Sequence, residues 1–175
     1  PNRFHASDVE YEGGEAPNAE LSVLIDSTRN ILAKNDSPDV GFDFSVNPYR
    51  GCLHGCAYCY ARPSHEYLGL GAGTDFERTI VIKPNAAKLL REAFEKKSWK
   101  GDTVVFSGVT DCYQPLEAEH RLTRQCLEVC LDYKNPVGII TKAPLVERDI
   151  DLLAKLNDAT RVSVTVSIPF WNKET

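Results

Sequence analysis

The chain has 175 residues, of which 42% are hydrophobic and 26% charged, with a formal net charge of -5. This is enough for one globular domain with a real core, and too polar for a membrane protein. No apolar run approaches the roughly 20 residues needed to span a bilayer. The acidic balance argues against a broadly basic surface that gathers polyanions, so nucleic-acid binding would require a local basic groove.

Residues 1–40 carry Gly13, Gly14, Pro17 and Pro38 and only one short apolar patch, "LSVLI", so they read as an N-terminal arm. The start shows no charged, apolar and small-residue succession of a secretion signal, which makes the cytoplasm the expected compartment, although the chain begins at Pro1 rather than Met. From Gly41 onward, a regular core is expected over 41–175. "GFDFSV" alternates into a strand that Asn47-Pro48 breaks, a cysteine-bearing loop follows, and "TIVIK" is a second short apolar stretch. In "PNAAKLLREAFEKK", Ala86, Leu89, Leu90, Ala93 and Phe94 recur at helical spacing, with Asn85 as the expected N-cap.

"TVVFSGV" has the length and apolarity of a buried strand, and "LEAEHRLTRQCLEVCLDY" predicts one helix with Leu122, Cys126, Val129, Cys130 and Tyr133 on a face. "VGIITK" predicts a strand, "ERDIDLLAKL" a helix and "RVSVTVSI" a final strand. Apolar strands alternating with amphipathic helices mean a parallel sheet covered by helices. Four such steps are too few for a closed eight-unit barrel, which takes about 250 residues, so they predict an α/β fold forming part of a (βα) barrel. The absence of Met and the stop just after a core strand predict either omitted methionines or a further C-terminal part. In such folds ligands bind in loops at the C-terminal ends of the strands. The cysteine loop, "SGVTD", "TKAP" and Ser167 should therefore share one rim.

"NPYRGCLHGCAYCYARP" places Cys52, Cys56 and Cys59 within eight positions. One disulfide cannot use three thiols, and a reducing compartment would rarely keep it. A structural zinc site could recruit His54 or His65 as fourth ligand, but such sites usually pair two separate knuckles and no second Cys-x-x-Cys exists. Inert core cysteines lie on hydrophobic stripes, as Cys126 and Cys130 do, rather than on a Gly-rich polar loop. An iron–sulfur cluster with three protein thiolates remains, and it leaves one iron open to a small molecule.

The spacing Cys52-x-x-x-Cys56-x-x-Cys59, with Tyr58 just before the last Cys and a strand before the loop, resembles the signature of the radical S-adenosylmethionine (radical SAM) superfamily. The wider context "NPYRGCLHGCAYCYARPSHEYLGL" is similar to its spore photoproduct lyase-like branch. The resemblance implies a four-iron, four-sulfur cluster on the three cysteines, SAM bound at the open iron, and reductive cleavage to a 5'-deoxyadenosyl radical that abstracts hydrogen from a substrate. It implies an electron donor such as flavodoxin or ferredoxin, and by analogy a nucleic-acid lesion as substrate, which the acidic charge does not favour.

The resemblance also assigns the remaining candidates. "SGVTD" stands where the superfamily has a Gly-Gly-Glu-like motif for the methionine amino group, which makes Ser107, Gly108 and Asp111 candidates, although a polar turn capped by Asp111 would look the same. Lys142 is a candidate for the SAM carboxylate, against the reading of a solvated lysine, and Ser167, on the polar alternation with Ser163 and Thr165, for ribose or carboxylate. Tyr58 is placed near adenine, and with Tyr60 is a candidate for radical or hydrogen transfer, packing being the commoner use of Tyr. Cys112 lies near the rim, with no assigned match to the lyase's hydrogen-donor cysteine. Arg50, Arg62 and His65 flank the cluster loop and could tune its potential, contact substrate or be plain surface. The opposing class is a non-catalytic module that binds zinc or an electron-transfer cluster through four protein ligands.

Overall fold

A computed structural model describes residues 20–168. It contains eight strands: β1 Ser22–Ile25, β2 Leu32–Lys34, β3 Phe44–Val46, β4 Tyr49–Arg50, β5 Thr79–Ile82, β6 Val104–Phe106, β7 Val137–Thr141 and β8 Val162–Val166. The helices are α1 Thr74–Arg78, α2 Ala86–Phe94, α3 Glu117–His120, α4 Leu122–Asp132 and α5 Ile150–Ala159, with 3-10 segments at Arg62–Leu68 and Pro144–Asp149.

The main sheet has the order β2-β3-β6-β7-β8. Strands β3, β6, β7 and β8 run parallel and in chain order, and β2 adds an antiparallel edge on β3. Four parallel strands joined by helical connections give the α/β, part-barrel architecture that the strand and helix periods predict. In the register, Val46 pairs with Phe106, Phe106 with Ile139 and Thr141 with Val166. The loops that follow the four strands therefore leave the same edge of the sheet, which fixes where a site can form.

Periodicity explains the helices. Ala86, Leu90, Ala93 and Phe94 are the buried face of α2, and Cys126, Leu127, Val129 and Cys130 that of α4. They form one core with Val104, Phe106, Ile139 and Leu156. At that density, deleting one buried Leu side chain costs about 2–5 kcal/mol. Cys126 and Cys130 are core residues, as their spacing predicts, and burial pushes both thiols up.

Four details differ from the sequence expectation. The arm contains two strands, and β1 runs parallel to β5 in a second, three-stranded sheet of order β1-β5-β4. "TIVIK" thus belongs to that second sheet, outside the parallel series. The helix expected over 116–133 is broken at Arg121, whose φ of 51° is left-handed. The cause lies at Glu117, whose carboxylate accepts from the free N–H groups of Thr123 (2.9 Å) and Arg124 (3.2 Å) and so caps a new helix. Asn85 occupies the N-cap of α2, but its side chain makes no capping bond.

Candidate functional site

The loop after β3 and β4 carries the three cysteines, and two side chains from elsewhere tie it down. Gln114, fully buried, donates from Nε2 to the Gly51 carbonyl (3.1 Å) and accepts from Leu53 N–H (3.0 Å). Arg62 donates from Nε to the Cys56 carbonyl (3.0 Å) and from Nη2 to the Gly55 carbonyl (2.8 Å). Gly51, at φ 77°, admits no side chain, since a Cβ would stand 2.8 Å from His65 Cε1 and 3.0 Å from the Phe76 carbonyl oxygen.

Cys52, Cys56 and Cys59 line one cavity of about 110 Å³ together with Tyr60, Ser107, Asp111, Thr141, Lys142 and Ser167, among others. The lining comes from the segments following β3, β6, β7 and β8, which is the shared rim that the alternation predicts. All three cysteines are free thiols. Cys52 is the buried one, and burial pushes its thiol up to about 11.

Asp111 joins three segments. Its Oδ1 accepts from Thr141 Oγ1 (2.6 Å) and Tyr113 N–H (2.9 Å), and its Oδ2 accepts from Lys142 N–H (2.9 Å). His54 Nε2 stands 3.5 Å from Oδ2, at ion-pair range, and has no hydrogen-bond partner among the described residues. Burial alone would push the Asp111 carboxyl up, but nearby His54 and the donors Thr141, Lys142 and Tyr113 outweigh it, so the carboxyl sits below the ordinary carboxylate range.

The Lys142 ammonium donates to Cys56 Sγ (2.9 Å) and Tyr58 Oη (3.3 Å) and lies 5.2 Å from the Tyr58 ring centroid. The hydrogen bond to Cys56 is the main cause that raises its pKa. Tyr58 is 62% exposed and does not line the cavity, whereas Tyr60 lines it and donates its hydroxyl to the Gly108 carbonyl (2.7 Å). Gly108 has a steric reason to be glycine: a Cβ would lie 3.1 Å from both Cβ and Oγ of Ser45. Ser107 adopts φ 80° and its Oγ accepts from Cys112 N–H (2.8 Å), which shapes the turn of "SGVTD".

Other candidates lie apart from the cavity. Cys112 is sealed in the core with a thiol that burial pushes up, and it does not line the site. On β8, Ser163 and Thr165 are exposed, and only Ser167 of the polar alternation reaches the cavity. His65 is buried, with Nε2 2.8 Å from the Thr79 carbonyl oxygen. Arg50 pairs with Asp26 at 3.5 Å. Among the described residues no group of three or more His, Cys, Asp or Glu side chains gathers closely enough to hold a metal ion. His54 Nε2 is turned toward Asp111, and His65 Nε2 toward the Thr79 carbonyl. Three free thiols line the cavity, a donor set that fits an iron–sulfur cluster with one open corner.

Sequence reasoning missed the anchoring roles of Gln114 and Arg62. Their partners are 10 to 63 residues away or are backbone carbonyls, which leave no local pattern.

The profile of the Radical SAM superfamily matches residues 46–170. An uncharacterized protein of Mycobacterium tuberculosis is 40% identical over 133 residues, covering 76% of this chain and 39% of that protein. One of Methanocaldococcus jannaschii is 33% identical over 127 residues, covering 73% and 45%. One of Acidianus two-tailed virus is 30% identical over 132 residues, covering 71% and 42%. The chain thus spans less than half the length of these relatives. Among solved structures, spore photoproduct lyase complexed with dinucleoside spore photoproduct superposes with a TM-score of 0.48 at 15% identity, over 81% of this chain and 39% of the lyase. With the profile spanning the cysteine loop and all four parallel strands from the last residue of β3 onward, the chain belongs to the radical SAM superfamily.

Proposed function

We propose that this chain is the cluster- and SAM-binding core of a radical SAM enzyme that abstracts hydrogen from its substrate. One observation carries the reading: Cys52, Cys56 and Cys59 face one cavity together with Asp111, Lys142 and Ser167, which arrive on loops after three other strands. Members of the superfamily are generally enzymes that use a four-iron, four-sulfur cluster and SAM.

In this reading Cys52, Cys56 and Cys59 would hold the cluster, which when bound would supply the electron that breaks the S–C5' bond of SAM, giving methionine and the 5'-deoxyadenosyl radical. The protein's own part is placement and charge. Lys142 carries a cation beside the thiols, where it can neutralise the SAM carboxylate. Asp111 is held ionised at the wall and favours the methionine amino group through its charge. Ser107 and Ser167 contribute hydroxyl groups to the lining, and Gly108, beside it, accepts the Tyr60 hydroxyl that ties the cysteine loop to the "SGVTD" turn. Tyr58 and Tyr60 are the proposed adenine and hydrogen-transfer residues; Tyr60 lines the cavity, and Tyr58 stands beside it against Lys142. The electron donor is a flavodoxin- or ferredoxin-type protein, and the compartment is the cytoplasm. No helix among the described residues is long and apolar enough to cross a membrane.

The test is anaerobic reconstitution with iron and sulfide on the wild type and on Cys52→Ala, Cys56→Ala, Cys59→Ala and the core control Cys126→Ala. The expected result is about four irons per wild-type and control chain and loss of the cluster in each of the other three. Stoichiometric zinc with no iron uptake would instead support the non-catalytic module.

A further inference from the structure

We infer that Arg62 is the positioning residue that pre-forms the cysteine loop before any cluster is present. Its guanidinium has five N–H donors, and five acceptors meet them. Nε bonds the Cys56 carbonyl at 3.0 Å, and Nη1 bonds the carbonyls of Gly73 (3.1 Å) and Ala72 (3.3 Å). Nη2 bonds the Gly55 carbonyl at 2.8 Å and pairs with Glu77 Oε1. The guanidinium carbon also lies 5.5 Å from the centroid of Phe76, itself fully buried.

These partners fall in two groups. One is the stretch Gly55–Cys56, which carries a proposed cluster ligand, and the other is 72–77, which leads through α1 into β5. Arg62 therefore staples the cysteine loop to the second sheet. Around Gly55–Cys59 the backbone-to-backbone bonds are short-range, from Gly55 N–H to Cys52 (3.1 Å), Cys59 N–H to Cys56 (3.1 Å) and Arg62 N–H to Cys59 (3.5 Å). The longer-range bond from Cys52 N–H to the Phe76 carbonyl (2.9 Å) holds the start of the loop, and Lys142 reaches the Cys56 side chain (2.9 Å) rather than its backbone. Gln114 anchors only the Gly51–Leu53 end.

The shape of the fork matters as much as its charge. Lysine has three donors on a point and cannot reach carbonyls on both sides in one plane. Gly55, at φ 57°, lies against Glu77, where a Cβ would meet Cδ at 3.0 Å, so the carboxylate that orients Arg62 also packs on the loop. Fixing the loop in advance removes ordering entropy from cluster capture. The inference rests on the proposed function only in saying what the loop is pre-formed for.

The experiment uses the cluster-free protein and amide hydrogen exchange, followed by iron and sulfide reconstitution of the same samples. Arg62→Lys and Arg62→Ala should each raise exchange over residues 53–61 by about tenfold or more, with exchange in α2 and α4 unchanged. Iron uptake should slow and the electron paramagnetic resonance signal of the reduced cluster should broaden. Glu77→Gln, which leaves the fork in place, should show a smaller rise in the same segment. Unchanged exchange over 53–61 in a folded Arg62→Lys protein overturns the inference. Should the Arg62 variants fail to fold, unchanged exchange in Glu77→Gln overturns it equally. A wild-type chain that takes up no iron yet shows the exchange difference would refute the proposed function and leave the staple standing.

Discussion

Asp111→Asn is the substitution that probes the rim most sharply. The carboxylate is 8% exposed and accepts from Thr141, Tyr113 and Lys142, with His54 close by. An amide keeps one acceptor oxygen, which can still serve Thr141 and Tyr113. Its NH2 then faces the Lys142 N–H, and a buried donor is left unpaired. An unpaired buried donor costs about 1–3 kcal/mol, and bonds to a charged acceptor exceed neutral ones by roughly 1 kcal/mol. Together these give a loss of about 3 kcal/mol, a large share of a typical 5–15 kcal/mol stability. The pH dependence has a definite sign. The folded carboxyl lies below its unfolded value, so its stabilisation is present above about pH 4 and is lost as pH falls through the folded pKa. Urea unfolding of both proteins at pH 7 and at acid pH measures this. The wild type should be more stable by about 3 kcal/mol at pH 7, with the gap closing in acid. A gap below about 1 kcal/mol at pH 7, or one that persists undiminished in acid, would refute the assignment of Asp111 as the carboxylate that joins the rim loops.

Two further outcomes follow from buried charges. Glu117 is fully buried and its carboxylate accepts from Tyr49, Thr123, Arg124 and Arg148, so Glu117→Gln should cost about 3–5 kcal/mol in urea unfolding, and a loss near zero would contradict the network. Lys83, only 7% exposed, is pushed down to about 8 first by burial and then by Arg50. The unfolded chain therefore holds more protons between about pH 8 and 10.4, and the Lys83 contribution to stability rises with pH in that window. Lys83→Met should accordingly be more stable than wild type at pH 7, by up to about 3 kcal/mol, with the advantage shrinking toward pH 10; a difference independent of pH would count against a buried ammonium.

Much of the frame was legible because it rests on period and order. The apolar runs at 104–106 and 137–141 and the helical faces of α2 and α4 follow from spacing alone, and parallel order then places the loops on one rim. That the three cysteines share one cavity was legible because they lie within eight positions on one loop after a strand. What escaped depends on contacts that sequence does not index. Arg62 and Gln114 act on backbone carbonyls and amides, which every residue carries. The break at Arg121 needs Glu117 to turn back on the helix it precedes, overriding a good helical pattern. The two arm strands gain their order from β5 and β3, since β1 is exposed along its whole length and β2 along most of it. Ser107 shows no sign of its φ of 80° because a serine does not advertise a left-handed backbone as glycine does. Cys112 read as a rim residue by position, yet its side chain turns into the core.

The central claim, that three thiols leave room for SAM to be cleaved, is tested most directly by assaying the reconstituted, dithionite-reduced protein for 5'-deoxyadenosine under anaerobic conditions, beside Cys59→Ala. The account predicts 5'-deoxyadenosine and methionine in equal amounts from the wild type and neither from the variant. A fully loaded cluster on the wild type with no cleavage of SAM, or cleavage undiminished in Cys59→Ala, would contradict it.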